Sequence, residues 1–287
     1  MKALDDLRET GEMIKFQHTV FALPFALIAL VSAPAEGWPP LRVWLLVLLA
    51  MVAARTAAMS FNRLVDHRMD ALNPRTASRA LPEGRLNRKF VWLITVVASA
   101  VFVLAAGLLN SLCLMLSVPT LAVLLGYSLS KRFTAAAHLW LGAALGIAPV
   151  GAWIAASGRL DLPPVVLGVS VMLWVAGFDV IYSLQDEVFD RSMGLHSIPT
   201  ALGPRRALHL ARAFHILSLA GFAAVAVLSG GGPLRWSAVI AAAGMLVWQH
   251  TLVSPDDLSR VNAAFFTANG ILAVVMGVLF IAARVLG

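Results

Sequence analysis

Residues 41–70 read LRVWLLVLLAMVAARTAAMSFNRLVDHRMD. An apolar run, interrupted by Arg42 and Arg55, passes directly into a polar tail where Asn62, Asp66 and Asp70 recur every four residues. A helix needs about 20 mostly apolar residues to cross the hydrocarbon core of a bilayer. Side chains four apart on a helix share a face. The stretch therefore predicts a spanning helix that delivers three polar groups, stacked on one face, to one side of a membrane.

The rest of the chain follows the same pattern. Of its 287 residues, 60% are hydrophobic and 13% charged, against about 25% charged in an ordinary soluble domain. Nine apolar runs approach spanning length, at about 19–34, 41–60, 90–109, 111–129, 138–156, 163–182, 209–229, 234–253 and 262–284. The expectation is one all-α, polytopic membrane domain over residues 1–287 with nine transmembrane helices. Pro24, Pro119 and Pro149 fall inside spans, which neighbouring helices can tolerate by satisfying the freed carbonyls. Gly142 and Gly146 have the small-x-x-x-small spacing of close helix contacts. Residues 1–17 are charged and lack the basic-then-apolar order of a signal peptide. They read as an interfacial helix with Leu4, Leu7 and Ile14 on its apolar side.

The net charge of +7 does not point to nucleic acid, because the basic residues sit in short segments between apolar runs rather than on a soluble face. The single Cys113 allows no internal disulfide and no thiolate metal cluster, and no His pair has zinc spacing. His67, His138, His196 and His250 read as ordinary polar residues. Lys and Arg crowd the N-terminus and the stretches 61–89, 130–137, 183–208 and 254–261, while Arg42, Arg159, Arg235 and Arg284 fall on the other side. By the positive-inside rule the N-terminus and the two long polar loops, 61–89 and 183–208, are cytoplasmic, and the C-terminus is outside.

A second acidic motif, Asp179-x-x-Tyr182-x-x-x-Asp186-Glu-x-x-Asp190, closes the sixth span. Spacings of three, four and four place these groups on one helix face. Asp179 lies near the end of an apolar run, where a carboxylate is costly and points to function. Of the 15 acidic residues, Asp66, Asp70, Glu83, Asp179, Asp186, Glu187 and Asp190 lie in or beside the two motifs. Clustered carboxylates repel, and a divalent cation relieves them. Asp and Asn oxygens suit Mg²⁺, which commonly binds one or two carboxylates together with substrate phosphate oxygens. Two such clusters are expected to hold a diphosphate through metal ions; the competing reading is a pair of solvated helix ends. Arg55 stands two helical turns before Asn62 on the same face, and a deep Arg requires an anion. The turn-rich segment Asn73–Gly84 carries Arg75 and Arg79, and Tyr127-x-x-x-Lys131-Arg132 ends the fourth span. Taken alone, Lys131 and Arg132 are better explained as positive-inside anchors.

Together, Asn62-x-x-x-Asp66-x-x-x-Asp70 after Arg55, Arg75-Thr-Ala-Ser-Arg79-x-Leu-Pro-x-Gly84, Tyr127-x-x-x-Lys131-Arg132 and the Asp179/Tyr182/Asp186/Asp190 set resemble the UbiA superfamily of intramembrane prenyltransferases. The resemblance covers nearly the whole chain. It implies nine helices around a central cavity, Mg²⁺, and a polyprenyl diphosphate donor. By position it implies that Asn62, Asp66, Asp70, Asp186 and Asp190 hold the metal–diphosphate unit, with the four Asp residues catalytic. Asn62, Arg79, Lys131 and Arg132 would contact diphosphate, and Arg55, Tyr127, Asp179 and Tyr182 would line the acceptor side. Position 63 is Arg where many members carry an acid, position 80 is Ala where Pro is usual, and Ile14–Pro24 departs from typical 4-hydroxybenzoate enzymes. The chain resembles a subgroup that includes MqnP-type enzymes acting on 1,4-dihydroxy-6-naphthoate. The implied acceptor is thus one of two aromatic acids, in ubiquinone or menaquinone synthesis, with the active site on the cytoplasmic side of the inner membrane and no obligate protein partner. Porphyrin, chlorophyll or homogentisate acceptors are alternatives within the family. A carboxylate-based ion or proton transporter is the alternative outside it, although that class places its acids nearer mid-membrane on broken helices.

Overall fold

A computed structural model describes residues 9–11, 13, 21–33 and 37–286. Most of the expected interfacial helix, including Leu4, Leu7 and Ile14, lies outside the described residues, as do both ends of the first expected span. Among the described residues the chain is all-α apart from an isolated bridge between Ser254 and Asp257. The described residues form two compact units, one drawn from 1–19 and 41–129 and the other from 20–40 and 130–287.

The first unit holds α2 (Leu41–Leu72), α3 (Arg88–Leu109) and nearly all of α4 (Ser111–Ser130). Helix α2 runs straight through the first acidic motif, so residues 61–72 are helix rather than loop. It packs along α3, and Arg42 Nη2 donates to the Leu108 carbonyl at 2.8 Å, tying the start of one helix to the end of the other. The Asn87 side chain caps α3 by accepting the Lys89 N–H at 2.8 Å. Residues 73–87 fold back as a series of turns. Ala80, Leu81 and Leu86 are buried with Leu64, Val91 and Met13 in a small apolar core, which anchors a segment whose composition alone reads as a loose basic loop.

The second unit holds α1 (Leu23–Ser32), α5 (Ala137–Ser157), α6 (Leu162–Ser183), α7 (Glu187–Ser192), α8 (Ile198–Leu202), α9 (Pro204–Leu228), α10 (Pro233–Thr251) and α11 (Asn269–Leu286). A 3₁₀ turn, Leu184–Asp186, joins α6 to α7, and a π-helical stretch, Ala263–Ala268, leads into α11. Helices α5 and α6 meet through Gly142, Gly146 and Gly168, whose missing side chains let the two backbones touch. Phe25, Trp174, Phe178 and Phe222 are fully or almost fully buried around α6. Phe25 stacks on Phe222 with ring centroids 5.6 Å apart, and the Trp174 indole N–H donates to Asn269 Oδ1 at 2.9 Å.

Seven helices among the described residues are long and apolar enough to cross a membrane, so the protein is a multi-pass membrane protein. The first expected span contributes only α1, ten residues long. The eighth, α10, carries Arg235, Gln249 and His250 and is not among the seven.

Candidate active site

In the first unit the motif residues form a chain of contacts along α2. Asn62 Nδ2 donates to Asp66 Oδ2 at 2.8 Å, as the four-residue spacing requires. Arg63, the residue out of step with the family pattern, is buried and donates from Nη1 to Asn62 Oδ1 at 3.3 Å. The same nitrogen lies 3.7 Å from Asp70 Oδ2. Asp70 accepts from Arg79 Nη1 at 2.6 Å, while its own carbonyl accepts the Thr76 hydroxyl at 3.0 Å. Asp70 therefore pins the 73–87 segment to α2 and sets the position of Arg79. A small cavity of about 170 Å³ opens beside Arg63, Arg79, Ser78 and Arg85. Arg85 is held by Glu83 and Glu9. Arg55 lies earlier on α2, and the Tyr127 hydroxyl lies 3.9 Å from Met59 Sδ.

Breaking the Asp70 pair has a calculable cost. Removing one charge from a buried pair leaves its partners uncompensated and costs about 3–5 kcal/mol. Arg79 keeps a quarter of its side chain exposed, which discounts that figure. Asp70→Asn is therefore expected to lower stability by about 2 kcal/mol, read as a drop in thermal midpoint in detergent. A wild-type midpoint would rule out this supporting role.

In the second unit Asp186 and Asp190 are both buried. Lys131, just past α4, donates from Nζ to Asp190 Oδ2 at 3.3 Å. Burial by itself would lower the pKa of this ammonium, but the charges of Asp190, Asp179 and Asp186 outweigh it and raise the pKa above the ordinary lysine value. Lys131 thus remains charged at neutral pH and faces three carboxylates. Arg132 beside it is exposed. Asp179, on α6, does not face solvent alone: His138, completely buried near the start of α5, lies with Nδ1 2.6 Å from Asp179 Oδ2. Tyr182 packs on Phe265 with ring centroids 4.2 Å apart.

Phe265 reaches Tyr182 from the π-helical stretch. A π turn frees backbone carbonyls that an α-helix would occupy. Here Gln249 Nε2 donates to the Ala264 carbonyl at 2.8 Å, and Asn269 Nδ2 donates to Ala264 and Phe265 at 3.1 and 2.8 Å. The sequence reading assigned no role to His138, Gln249, Phe265 or Asn269. The one available signal is that a carboxylate inside a span needs a partner, but sequence spacing does not connect residues 138 and 179.

The donor chemistry fits Mg²⁺. Among the described residues no three His, Cys, Asp or Glu side chains converge to hold a metal by themselves. That is what Mg²⁺ sites of the diphosphate type show, since the protein gives one or two carboxylates and phosphate oxygens complete the shell. Asn62 with Asp66, and Asp186 with Asp190, are hard-oxygen pairs of that kind.

Comparison with known proteins places the chain. It is 28% identical over 241 residues to the 4-hydroxybenzoate octaprenyltransferase of Nitrosospira multiformis, covering 84% of this chain and 83% of that one. It resembles the apo structure of a UbiA homologue from Aeropyrum pernix, with TM-score 0.84 and 35% identity over 93% of this chain and 98% of the other. It shares its fold with a UbiA homologue from Archaeoglobus fulgidus bound to DMAPP and Mg²⁺, with TM-score 0.76 and 16% identity over 97% of this chain and 100% of that one. The UbiA prenyltransferase family pattern matches residues 22–271, and the chain belongs to that family of prenyltransferase enzymes.

Proposed function

We propose that this protein transfers a polyprenyl group from an allylic diphosphate to a hydroxylated aromatic acid, 4-hydroxybenzoate or 1,4-dihydroxy-6-naphthoate, in the synthesis of ubiquinone or menaquinone. The observation that carries the reading is the pair of hard-oxygen motifs, each with basic side chains beside it, within a prenyltransferase family member. Asn62, Asp66 and Asp70 of the first motif and Asp186 and Asp190 of the second serve the same Mg²⁺–diphosphate unit. When bound, the metal neutralises charge on the leaving diphosphate. Arg79, Lys131 and Arg132 supply the remaining positive charge, and Lys131 is suited to this because its carboxylate neighbours keep it protonated. The apolar helices exclude water from the allylic cation that develops as the C–O bond breaks. Arg55, Tyr127, Asp179 and Tyr182 hold the acceptor, whose electron-rich ring attacks that cation ortho to its hydroxyl; the attacked ring carbon then loses its proton, which restores the aromatic ring and balances the departure of diphosphate. The distribution of Lys and Arg supports a cytoplasmic N-terminus and a cytoplasmic active site.

The test is prenyl transfer by purified protein supplied with a long-chain prenyl diphosphate and each acid in turn. Product with one acid, formed with Mg²⁺ and abolished by EDTA, is the expected result. Transfer that survives EDTA would sink the metal site. Transfer only to porphyrin, chlorophyll precursors or homogentisate would replace the acceptor and leave the reaction intact.

A further inference from the structure

The imidazole of His138 has no solvent exposure, and both of its nitrogens are engaged. Nε2 lies 3.2 Å from the backbone nitrogen of Ile198. A backbone N–H only donates, so Nε2 is an acceptor and carries no proton. The proton then resides on Nδ1, which donates to Asp179 Oδ2 at 2.6 Å. The hydrogen-bond pattern fixes the tautomer, the usual way a protein sets which nitrogen of a histidine does which task.

Both partners lead to the motif residues. Ile198 opens α8, where Ser197 and Thr200 form a reciprocal capping box. The segment just before it is hung on the same neighbourhood, with Leu195 N–H donating to the Asp190 carbonyl at 2.8 Å and His196 N–H to the Lys131 carbonyl at 2.7 Å. Asp179 itself is only partly buried, its side chain 19% exposed; its Oδ2 accepts from His138, and its charge acts on the Lys131 ammonium. A dry imidazole thus holds one oxygen of a carboxylate that keeps part of its side chain exposed.

We propose that His138 is the positioning residue of the acceptor site: its Nδ1–H locks Asp179 Oδ2 so that Oδ1 accepts the O–H of a phenolic acceptor, while Nε2 fixes the segment leading to α8. The proposal rests on the reading of Asp179 as an acceptor-side residue. Its chemical consequence is that a hydrogen bond to a carboxylate raises electron density in the phenol ring and fixes which ring carbon faces the allylic cation. Misplacement by about 1 Å costs on the order of a hundredfold in such reactions.

Two conservative variants separate the two bonds. In His138→Asn the amide nitrogen stands about where Nδ1 stood and still donates to Asp179, but nothing reaches Ile198. In His138→Gln the longer side chain reaches the Ile198 N–H and leaves Asp179. The expected result is that His138→Asn retains the acceptor KM within about threefold, whereas His138→Gln loses about tenfold to a hundredfold in kcat/KM for the acceptor. The KM for prenyl diphosphate should stay unchanged in both. The reverse order, with Gln active and Asn damaged, would mean that His138 only braces the chain and would overturn the proposal. Should both variants fail to fold, ¹⁵N-histidine spectra of the wild-type protein decide the matter without turnover. A resonance from a buried histidine protonated at Nδ1, shifting when the phenolic acid alone is added, supports the proposal. His138 protonated at Nε2, or indifferent to the acid, refutes it; His215, whose Nε2 faces the Trp174 carbonyl, is the buried histidine expected in that other tautomer. Wild-type protein that transfers prenyl groups to no phenolic acid would instead overturn the proposed function, while the tautomer still reports on His138.

Discussion

Asp66→Ala and Asp186→Ala are each expected to reduce prenyl transfer by about a thousandfold, and the double variant to be scarcely worse than either alone. On the proposed reading each carboxylate helps to hold the cation that meets the negative charge developing on the diphosphate, and the diphosphate leaves only when that charge is met. Residues that act on one group as a unit are strongly non-additive, because losing either already forfeits most of the shared stabilisation. Steady-state rates of the two single variants and the double variant, with protein folding checked by size exclusion, measure this. Two independent losses that multiply in the double variant would show that the motifs serve different groups. Full activity in either single variant would remove that residue from the reaction.

Gly146→Val is expected to destabilise the second unit severely. A Cβ at Gly146 would overlap the carbonyl oxygen of Gly168, and one at Gly142 would overlap the carbonyl oxygen of Met172. Backbone atoms inside packed helices cannot swing aside as a side-chain tip can. Overpacking costs up to about 3 kcal/mol when neighbours can give, so the value here lies at or above that figure, and little monodisperse protein should be recovered. Gly151→Val is the matched control on the same helix, since a Cβ there meets nothing within 4 Å. Equal yields and thermal midpoints for the two variants would show that α5 and α6 do not depend on that contact.

Much of the architecture is visible in the sequence because bilayer physics is strict. An apolar run of the right length leaves few options, and seven of the nine expected spans appear as apolar helices of sufficient length among the described residues. The i, i+4 logic was equally direct for Asn62 and Asp66, whose side chains are bonded. Non-local partnerships were not legible. Asp70 and Arg79 are nine positions apart across a chain reversal, and His138 reaches Asp179 from a different helix. A lone histidine at the start of an apolar run gives no sign of its partner. The 73–87 segment was misleading for a different reason: its Arg, Ser and Gly residues advertise a solvated loop, while its Leu81 and Leu86 are few but fully used. Short α1 shows the limit of counting apolar residues, because a run can be apolar enough and still form only a ten-residue helix.

The π-helical stretch at Ala263–Ala268 changes how the end of the chain must be interpreted. A turn that closes over five residues instead of four inserts a phase break. Phe265 and Phe266, which face Tyr182, belong to one angular frame, and Gly277, which rests against Pro24, belongs to another. A single helical wheel drawn from 262 to 284 assigns neighbours that the protein does not have. The final span is two rotors joined at a fixed offset, with the amides of Gln249 and Asn269 as the bolt, so the aromatic face toward Tyr182 can vary independently of the face that seats the last helix.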